Sequence, residues 1–271
     1  MIEKDTFHLE IAEILNSMEE ISLEAASNVS LLNRIDTKFC APIELIPPVL
    51  NQARENYLVL DINGIKHQVY ENIYFDDSNL STYHWHLFRR LNRYKLRLRK
   101  YANTSGLTFF EVKIRTNKNR IVKKRLRCEW TPCLHIASHN EIKNFVAKYN
   151  FRNLVLEDIH PVIFMSYKRI TLISKEANER ITIDTDLSFQ SGEKNFSFSR
   201  AVFIEVKREG NLTHSHCLKM LKNMKVREGG MSKYCTGMVI LNPSLKKNNF
   251  MPVLRHYMKI ERNGSLSYAD C

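Results

Sequence analysis

The sequence lacks the patterns that direct a chain out of the cytoplasm or into a membrane. Residues 1–5 have neither the basic region nor the apolar region of a secretory signal. No run in the chain approaches the ~18 consecutive apolar residues that a membrane-spanning helix needs. We therefore expect a cytoplasmic protein without a transmembrane segment, whose contacts with any membrane are peripheral.

Paired cysteine motifs are also missing. Of the six cysteines, only Cys128 and Cys133 are close in sequence, and the Cys-x-x-Cys spacing of a zinc site does not occur. Scattered cysteines in a cytoplasmic protein are normally reduced. The sequence therefore predicts free thiols rather than disulfides.

Acidic residues are scarce relative to basic ones. The chain has 41 Lys and Arg against 29 Asp and Glu, which gives a net charge of +12 and a pI of about 9.4. Hydrophobic residues make up 44% of the sequence, an ordinary value for a globular protein, so the high charge does not indicate disorder. The excess of cations predicts a polyanionic partner: nucleic acid, nucleotide, polyphosphate or an anionic membrane surface.

No linker or periodic repeat divides the chain of 271 residues. Residues 1–30 predict one helix, because apolar residues such as Ile11 and Ile14 recur at helical spacing, and we interpret it as a docking helix. Residues 31–242 are predicted to form a single domain. Residues 243–271 include a polar stretch and are predicted to be a loosely packed tail.

One dipeptide predicts a hairpin. Asn63-Gly64 stands between the apolar runs at residues 57–60 and 65–74. Asn-Gly is typical of the tight turn that joins two antiparallel strands. The sequence therefore predicts that these two runs pair with each other.

Several strand-like segments alternate basic and apolar residues. The clearest places Lys95, Arg97 and Arg99 on one face of a strand and Leu96 and Leu98 on the other. In an open sheet the basic face would be solvated. In a barrel closed with helices outside, the cations would converge on the lumen, where like charges persist only with a bound anion.

Two strands carry the sequence Glu-Val-Lys. Glu111 and Lys113 share one face of the first strand, and Glu205 and Lys207 share one face of the second. Each strand thus offers a carboxylate beside a cation. Such a pair is either a salt bridge or a ligand for a hard divalent ion that completes its shell with phosphates.

Eight motifs occur in an order that resembles the VTC domain, the polyphosphate polymerase domain of the triphosphate tunnel metalloenzymes. They include Arg97-Leu98-Arg99 and Ile204-Glu205-Val206-Lys207. The complete set occupies residues 33–39, 73–77, 92–99, 110–113, 161–169, 180–184, 204–207 and 232–234. No single motif is specific, but their shared order and compatible spacing support the resemblance.

The resemblance implies an α+β fold built on a closed antiparallel β-barrel, the triphosphate tunnel, with helices packed outside. It implies an ATP–polyphosphate phosphotransferase that moves the γ-phosphoryl group of ATP onto a growing polyphosphate chain. The implied cofactor is Mn²⁺ or Mg²⁺, and the implied partners are ATP and inorganic polyphosphate.

The resemblance also implies roles for individual residues. Glu205 would be the principal metal ligand, with Glu111 a less secure second. The cations divide into a catalytic group, Arg97, Arg99, Arg169 and Lys207, and a phosphate-binding group, Lys38, Lys113, Lys123, Arg125 and Lys233. The run Lys123-Lys124-Arg125 leaves open which of its members faces the tunnel.

This chain departs from relatives of the VTC domain in two ways. It has no Glu-x-Glu-x-Lys strand, a hallmark of the hydrolase and cyclase branch, and this absence favours the polymerase branch. We also expect it to lack the inositol-phosphate-sensing domain and the membrane helices of eukaryotic VTC subunits. Regulation is then expected to depend on a partner, a membrane protein being one option, and the sequence does not set the oligomeric state.

Other functions compete with polymerisation. A tunnel-type triphosphatase would use the same cations, and a non-catalytic protein would bind RNA or polyphosphate. RNA is the weaker option, because aromatic residues for base stacking are few on the basic strands and the carboxylates there oppose a nucleic-acid backbone. His84 and His86 lack an evident third ligand, so we expect them to be structural rather than metal-binding. The resemblance also places His86 and Arg93 in a recurrent motif, which implies a role near the tunnel mouth as an alternative.

Overall fold

The computed structural model describes residues 2–28, 34–104, 106–118, 121–149, 151, 154–210 and 214–263. Our expectations for residues 29–33 and 264–271 fall on positions outside the described residues. Among the helices of the described ranges, none is long and apolar enough to cross a membrane.

The described residues form an α+β fold, as predicted. Its strands are β1 (Glu20–Ser22), β2 (Arg34–Pro42), β3 (Tyr57–Asp61), β4 (His67–Asp76), β5 (Arg93–Tyr101), β6 (Thr108–Arg115), β7 (Ile121–Arg127), β8 (His160–Ser174), β9 (Glu179–Ser191), β10 (Lys194–Ser197) and β11 (Ala201–Glu209). Its α-helices are α1 (Ile2–Asn16), α2 (Leu23–Asn28), α3 (Ile46–Ala53), α4 (Ser81–Leu87), α5 (Asn140–Ala147), α6 (His216–Asn223), α7 (Lys233–Leu241) and α8 (Met251–Asn263).

The strands form one large sheet that is open. Its main order is β2-β11-β9-β8-β4-β5-β6-β7, and every neighbouring pair is antiparallel. Within the described residues β2 and β7, the two ends of this order, do not pair, so the closed barrel is not confirmed. The sheet nevertheless curves so far that Lys38 on β2 and Ile121 on β7 line the same cavity.

The convex face of the sheet is apolar and covered by helices. Leu98 and Phe110, on β5 and β6, pack in one core cluster with Ile142 of α5. Ile183 and Ile204, on β9 and β11, pack in another cluster with residues of α1, α3 and α6. Burying one such side chain contributes roughly 1.5–3 kcal/mol, so the apolar half of each alternating strand fixes which face points outward.

Helix α7 departs from the expected arrangement, because it lies on the concave face. Tyr234 of α7 stacks on Tyr74 of β4 with ring centroids 5.2 Å apart. A Cβ atom added at Gly237 would lie 2.4 Å from Ile163 Cδ1 and Phe189 Cδ1, so the helix approaches the sheet closely there. At this end the concave face is aromatic and aliphatic rather than basic, and it offers α7 an apolar floor.

The prediction of one helix over residues 1–30 is wrong. Helix α1 ends at Asn16, after burying Ile11 and Ile14 as the spacing predicted. Strand β1 then pairs in parallel with β3, so that Glu20 lies opposite Val59. Backbone pairing at the edge of the sheet therefore replaces a continued helix.

The prediction that the two strands of the hairpin pair with each other is also wrong. Asn63 and Gly64 adopt positive φ angles of 56° and 78°, as a tight turn requires, but only the bridge between Ile62 and Ile65 joins its two sides. Strands β3 and β4 then separate and pair with successive parts of β8. The 15 residues of β8 offer one long edge to both strands.

The segment predicted as a loose tail contains a packed helix. Tyr257 and Ile260 of α8 are buried. The carboxylate of Glu261 accepts hydrogen bonds from the backbone N–H groups of Ser199, Arg200 and Ala201 at 2.8–2.9 Å. This contact holds α8 against the start of β11.

Candidate anion-binding site

Cross-strand register gathers the predicted site residues on the concave face. Residues directly opposite each other in a sheet share a face. Glu111 of β6 lies opposite Arg97 of β5 and Arg125 of β7. Glu205 of β11 lies opposite Lys38 of β2. These acids and the cations opposite them therefore lie on the same face of the sheet.

One buried carboxylate, that of Glu111, holds two of the predicted cations. Its Oε2 accepts from Arg97 Nε at 2.6 Å, and its Oε1 lies 2.5 Å from Lys123 Nζ. Burial opposes ionisation of Glu111, but Arg97 and its basic neighbours outweigh burial and lower the pKa of Glu111 to about 2. Glu111 is therefore a fixed anion at neutral pH, and both its oxygens are engaged.

A second buried carboxylate, that of Asp184, holds two more of the predicted cations. Arg169 donates to Asp184 through Nε at 2.5 Å and through Nη2 at 2.7 Å, and Lys233 Nζ lies 2.6 Å from Asp184 Oδ2. Burial opposes ionisation, but these two cations keep the pKa of Asp184 well below its usual range. Arg169 also lies over the ring of Tyr70, 5.1 Å from its centroid. We call the groups around Glu111 and Asp184 the paired centre.

Local structure explains how Lys233 reaches this centre. Ser232 caps the start of α7, and its hydroxyl accepts a hydrogen bond from the backbone N–H of Cys235 at 3.2 Å. A serine at this position stabilises a helix start. Lys233 is consequently placed at the first turn of α7, beside Asp184.

Arg99 is held by neutral groups instead. Its Nε donates to Asn72 Oδ1 at 2.8 Å, and its Nη2 donates to the hydroxyl of Tyr167 at 2.9 Å. Its guanidinium lies 5.2 Å from the centroid of Tyr70. These contacts orient the planar group, and Arg99 forms no direct ion pair with a carboxylate of the described residues, although its charge helps to lower the pKa of Glu111.

Glu205 lies between two lysines. It forms ion pairs with Lys38 and, at 2.5 Å, with Lys207. Burial, followed by the charge of Arg169, lowers the pKa of Lys207 to about 7, although the carboxylates of Asp36 and Asp184 oppose this shift. Burial and the charges of neighbouring lysines also lower the pKa of Lys38 well below its ordinary value.

A cavity of about 350 Å³ lies beside Glu205 and continues toward α4. Its walls include a group that we call the α4-side cluster, consisting of Arg93, Lys95, Lys113 and Arg115. Burial lowers the pKa of Lys95 to about 8, and the charges of Arg93 and Arg97 add to this effect. Burial, with the charges of Lys95 and Arg97, lowers the pKa of Lys113 to about 7, although solvent reaches Lys113 from the cavity.

The structure places every predicted site residue on this face or at its edge. Both Lys123 and Arg125 face inward, whereas Lys124 lies opposite Val112 of the convex face. Arg125 covers the ring of Phe109 at 4.7 Å rather than pairing with Glu111. Arg93, which the resemblance placed with His86 near the tunnel mouth, lines the cavity. The sequence interpretation did not assign Lys95 to the site, although Lys95 was visible in the same alternation as Arg97.

His86 makes a structural contact with a cation of the cavity wall. His86 Nδ1 accepts from Arg93 Nε at 3.1 Å, and burial lowers the pKa of His86 far below its ordinary value. A neutral imidazole thus orients a guanidinium at the cavity wall. No group of three or more His, Cys, Asp or Glu side chains suited to a metal is present in the described part of the chain.

The donor set still fits a divalent ion held jointly by protein and phosphate. Mg²⁺ is commonly bound by one or two carboxylates together with substrate phosphates, not by a cage of protein ligands. Glu205 and Asp36 both line the cavity, and 23% of the Glu205 side chain is exposed. Glu111 fits less well because its two oxygens already contact Arg97 and Lys123.

The fold and the basic concave face define a protein suited to binding a highly charged anion. The family model of the VTC domain matches residues 33–242, so the chain belongs to the VTC domain family. A comparison with curated proteins found no match.

Two solved structures are similar to the chain. One is a candidate adenylate cyclase from Bacillus halodurans, with 12% identity, a TM-score of 0.48, and coverage of 74% of this chain and 94% of the other. The other is a candidate adenylyl cyclase from Hippeastrum with a dominant triphosphatase activity, with 14% identity, a TM-score of 0.44, and coverage of 79% and 96%. With TM-scores below 0.5, neither likeness supports a conclusion about this chain.

Proposed function

We propose that the protein is a metal-dependent polyphosphate polymerase, which transfers the γ-phosphoryl group of ATP to the end of a polyphosphate chain. The observation that carries the proposal is the position of Glu205, an accessible carboxylate among lysines in a cavity walled by cations. Membership of the VTC domain family supports it.

The proposed reaction is one displacement at phosphorus. A terminal oxygen of the polyphosphate chain attacks the γ-phosphorus of ATP and forms the new P–O bond. The bond between the γ-phosphorus and its bridging oxygen breaks, and ADP leaves with the electron pair. Because the attacking oxygen is already ionised at neutral pH, the reaction requires no general base.

The residues of the chain align the reactants and neutralise their charge, which is most of what phosphoryl transfer needs. We assign Arg97, Arg99 and Arg169 to contacts with phosphate oxygens, because planar guanidinium groups can donate two hydrogen bonds at once. Lys38 and Lys207 would act as point charges beside Glu205. Asp184 and Glu111 would hold the cations in position rather than contact the phosphates.

Glu205, together with phosphate oxygens, would hold Mn²⁺ or Mg²⁺, which when bound supplies positive charge to the transferring phosphoryl group. Without the ion, Glu205 is neutralised by Lys38 and Lys207. Ion binding would therefore release these lysines toward the phosphates.

The test is to incubate the purified protein with ATP, Mn²⁺ and a polyphosphate primer, and to measure chain length, ADP and free phosphate. Growing chains with ADP support the polymerase. Free phosphate without chain growth would indicate a triphosphatase, and binding without turnover would indicate a non-catalytic polyphosphate protein.

Glu205→Gln tests the assigned ligand. We expect metal-dependent turnover to fall by about a hundredfold or more, the range seen when one transition-state contact is removed. Glu71→Gln is the matched control, because Glu71 pairs with Lys100 at 3.0 Å, outside the proposed site. Equal turnover in the Glu205→Gln variant and the wild type would remove Glu205 from the mechanism.

A further inference from the structure

The loop between α4 and β5 exposes two large apolar side chains. Phe88 and Leu91 lie three residues apart in this loop, and 46% and 55% of their surfaces are exposed. The ring of Phe88 stacks on His84 with ring centroids 6.1 Å apart, and the ammonium group of Lys246 lies 5.2 Å from the centroid of Phe88. Grouped exposed apolar side chains, in contrast to isolated ones, mark a surface that meets a partner.

The cations beside these apolar side chains belong to segments that have no acids. Arg89 and Arg90 stand between Phe88 and Leu91 and are exposed, as is Lys246. Residues 78–110 and 229–260, the two segments that build this region, contain no Asp or Glu. We call the surface formed by these two apolar residues and three cations the α4-tip patch. It combines exposed apolar area with positive charge.

Backbone contacts hold the loop in the conformation that exposes the patch. The N–H of Phe88 donates to the carbonyl oxygen of His84 at 2.9 Å, and Asn249 Nδ2 donates to the carbonyl oxygen of Leu87 at 3.0 Å. Arg89 adopts a positive φ angle of 53°, which residues with a side chain rarely adopt. The exposure of the α4-tip patch is therefore a feature of the folded loop.

The α4-tip patch lies beside one end of the cavity. Arg89 lines the cavity together with Ile121 of β7 and Phe250, which precedes α8. Ile121 is itself 41% exposed. A partner that covers the patch therefore lies next to the cavity opening.

We propose that the α4-tip patch binds the surface of an anionic phospholipid bilayer. Phe88 and Leu91 would enter the boundary between headgroups and acyl chains, and the three cations would lie at the level of the anionic headgroups. Charge complementarity favours a bilayer over a second copy of the chain, because a second copy would bring the same cations to the contact. The inference does not depend on the proposed polymerase.

The test is vesicle flotation of the full chain, without nucleotide or polyphosphate. One set of vesicles contains phosphatidylcholine and phosphatidylglycerol in equal parts, and the other contains phosphatidylcholine alone. We expect binding to the anionic vesicles, weaker at high salt because salt screens the cations, and little binding to the neutral ones. Equal binding to both sets would contradict the proposal.

Two matched pairs of variants test the patch itself. Phe88→Ser/Leu91→Ser should lower vesicle affinity about tenfold or more, because each side chain has about half of its surface left to bury. Its control is Leu9→Ser/Val155→Ser, which removes two apolar side chains that are 65% and 61% exposed elsewhere.

Arg90→Gln should lower vesicle affinity about fivefold, the contribution of one cation near an anionic membrane surface. Its control is Arg200→Gln, because Arg200 is exposed and its backbone N–H contacts Glu261 at the other end of α8. Both controls should bind vesicles like the wild type. All these substitutions change exposed side chains, so each variant should keep the melting temperature of the wild type.

Fluorescence distinguishes insertion from adsorption. The chain has two tryptophans, Trp85 and Trp130, whose signal is measured in the wild type and subtracted. The indole introduced by Phe88→Trp should shift its emission to shorter wavelength on anionic vesicles and should be quenched by brominated lipids. The indole introduced by Leu9→Trp should show neither change.

Several outcomes would overturn the inference. Equal losses in the patch variants and their controls, or vesicle binding without the emission shift, would indicate adsorption of a basic protein. A loss in Lys95→Met as large as that in Arg90→Gln would place the lipid headgroup in the cavity. A dimer in solution that Phe88→Ser/Leu91→Ser dissociates would assign the patch to a second copy.

The polymerase assay is a separate measurement. Turnover of soluble ATP and primer should be the same in the wild type and in Phe88→Ser/Leu91→Ser, because neither side chain belongs to the proposed site. A protein that binds vesicles through the patch but extends no chain would refute the polymerase and leave the membrane inference intact.

Discussion

The concave face contains two basic regions that differ in how their charge is balanced. In the paired centre, Glu111 and Asp184 each hold two cations at 2.5–2.7 Å. In the α4-side cluster, Lys95 and Lys113 face each other, and neither forms an ion pair with a carboxylate of the described residues. Acids of the protein balance cations in the first region, whereas we expect a bound anion to balance those of the second.

This difference assigns separate tasks to the two regions. Ion pairs with buried acids fix the direction of Arg97 and Arg169, so these side chains are ordered before a phosphate arrives. The same acids lower the net charge that a ligand encounters. The cations of the α4-side cluster are not fixed by buried acids in this way, and burial lowers the pKa of Lys95 and of Lys113, so their charge depends on pH.

The largest effect on stability is expected from a substitution that breaks the paired centre. Glu111→Gln removes a buried carboxylate and leaves Arg97 and Lys123 without their partner, which should cost about 3–5 kcal/mol of unfolding free energy. The Lys95→Met substitution should not lower the unfolding free energy. Urea unfolding monitored by circular dichroism measures both variants, with m-values checked for a common unfolding transition.

Two results of this comparison would change the assignment. Equal stability losses in the two variants would mean that both regions are structural. Full stability in Glu111→Gln, combined with loss of metal-dependent turnover, would instead support the predicted role of Glu111 as a metal ligand.

A smaller loss of stability is expected from a substitution where α7 packs on the concave face. Gly237→Ala adds a Cβ atom 2.4 Å from Ile163 Cδ1 and Phe189 Cδ1, and overpacking of this kind costs about 1–3 kcal/mol. We expect helix α7 to shift to relieve the contact, and this shift would displace Lys233 relative to Asp184. We expect weaker tripolyphosphate binding in protein that remains folded, measured by calorimetry below the melting temperature.

Binding by Gly237→Ala should be compared with that of Lys233→Met, which removes the same contact without moving the helix. Similar losses in the two variants would support α7 as the support for Lys233. Unchanged binding in Gly237→Ala would show that the sheet, not α7, yields to the added methyl group.

Much of the concave face could be predicted from local alternation in the sequence. The period of two placed Arg97 and Arg99 on one face and Leu96 and Leu98 on the other, and burial of the leucines against α5 confirms this. Alternation depends only on neighbouring residues, so a single sequence reveals it.

Features that depend on distant pairing could not be predicted in this way. The turn at Asn63-Gly64 was evident, but the pairing of β3 with β8 rather than β4 depends on a strand about a hundred residues further along the chain. Likewise, Glu111 and Glu205 occur in identical Glu-Val-Lys sequences. Only the neighbours in the sheet show that one is enclosed by Arg97 and Lys123 while the other opens to the cavity.

The smallest expected effect is a pH dependence that separates the two regions. Burial lowers the pKa of Lys113 from 10.5 to about 7, so between these values the unfolded chain binds more protons than the folded one. The stability of the unliganded protein should therefore rise between pH 7 and pH 9, and this rise should be smaller in Lys113→Met. For Glu111, whose pKa is lowered from 4.5 to about 2, stability is present above pH 4.5 and is lost as the pH falls toward 2.

Anion binding should show the opposite trend to stability above neutral pH. Lys113 and Lys207 both lose their protons as the pH rises through about 7, so affinity for polyphosphate should fall between pH 6.5 and pH 9. The second ionisation of a phosphate occurs near pH ~6, so the ligand keeps its charge across most of this range. If affinity is constant between these pH values in the wild type, or falls equally in Lys113→Met, then Lys113 does not titrate in contact with phosphate. The distinction between a balanced and an unbalanced region would then rest on the ion-pair geometry alone.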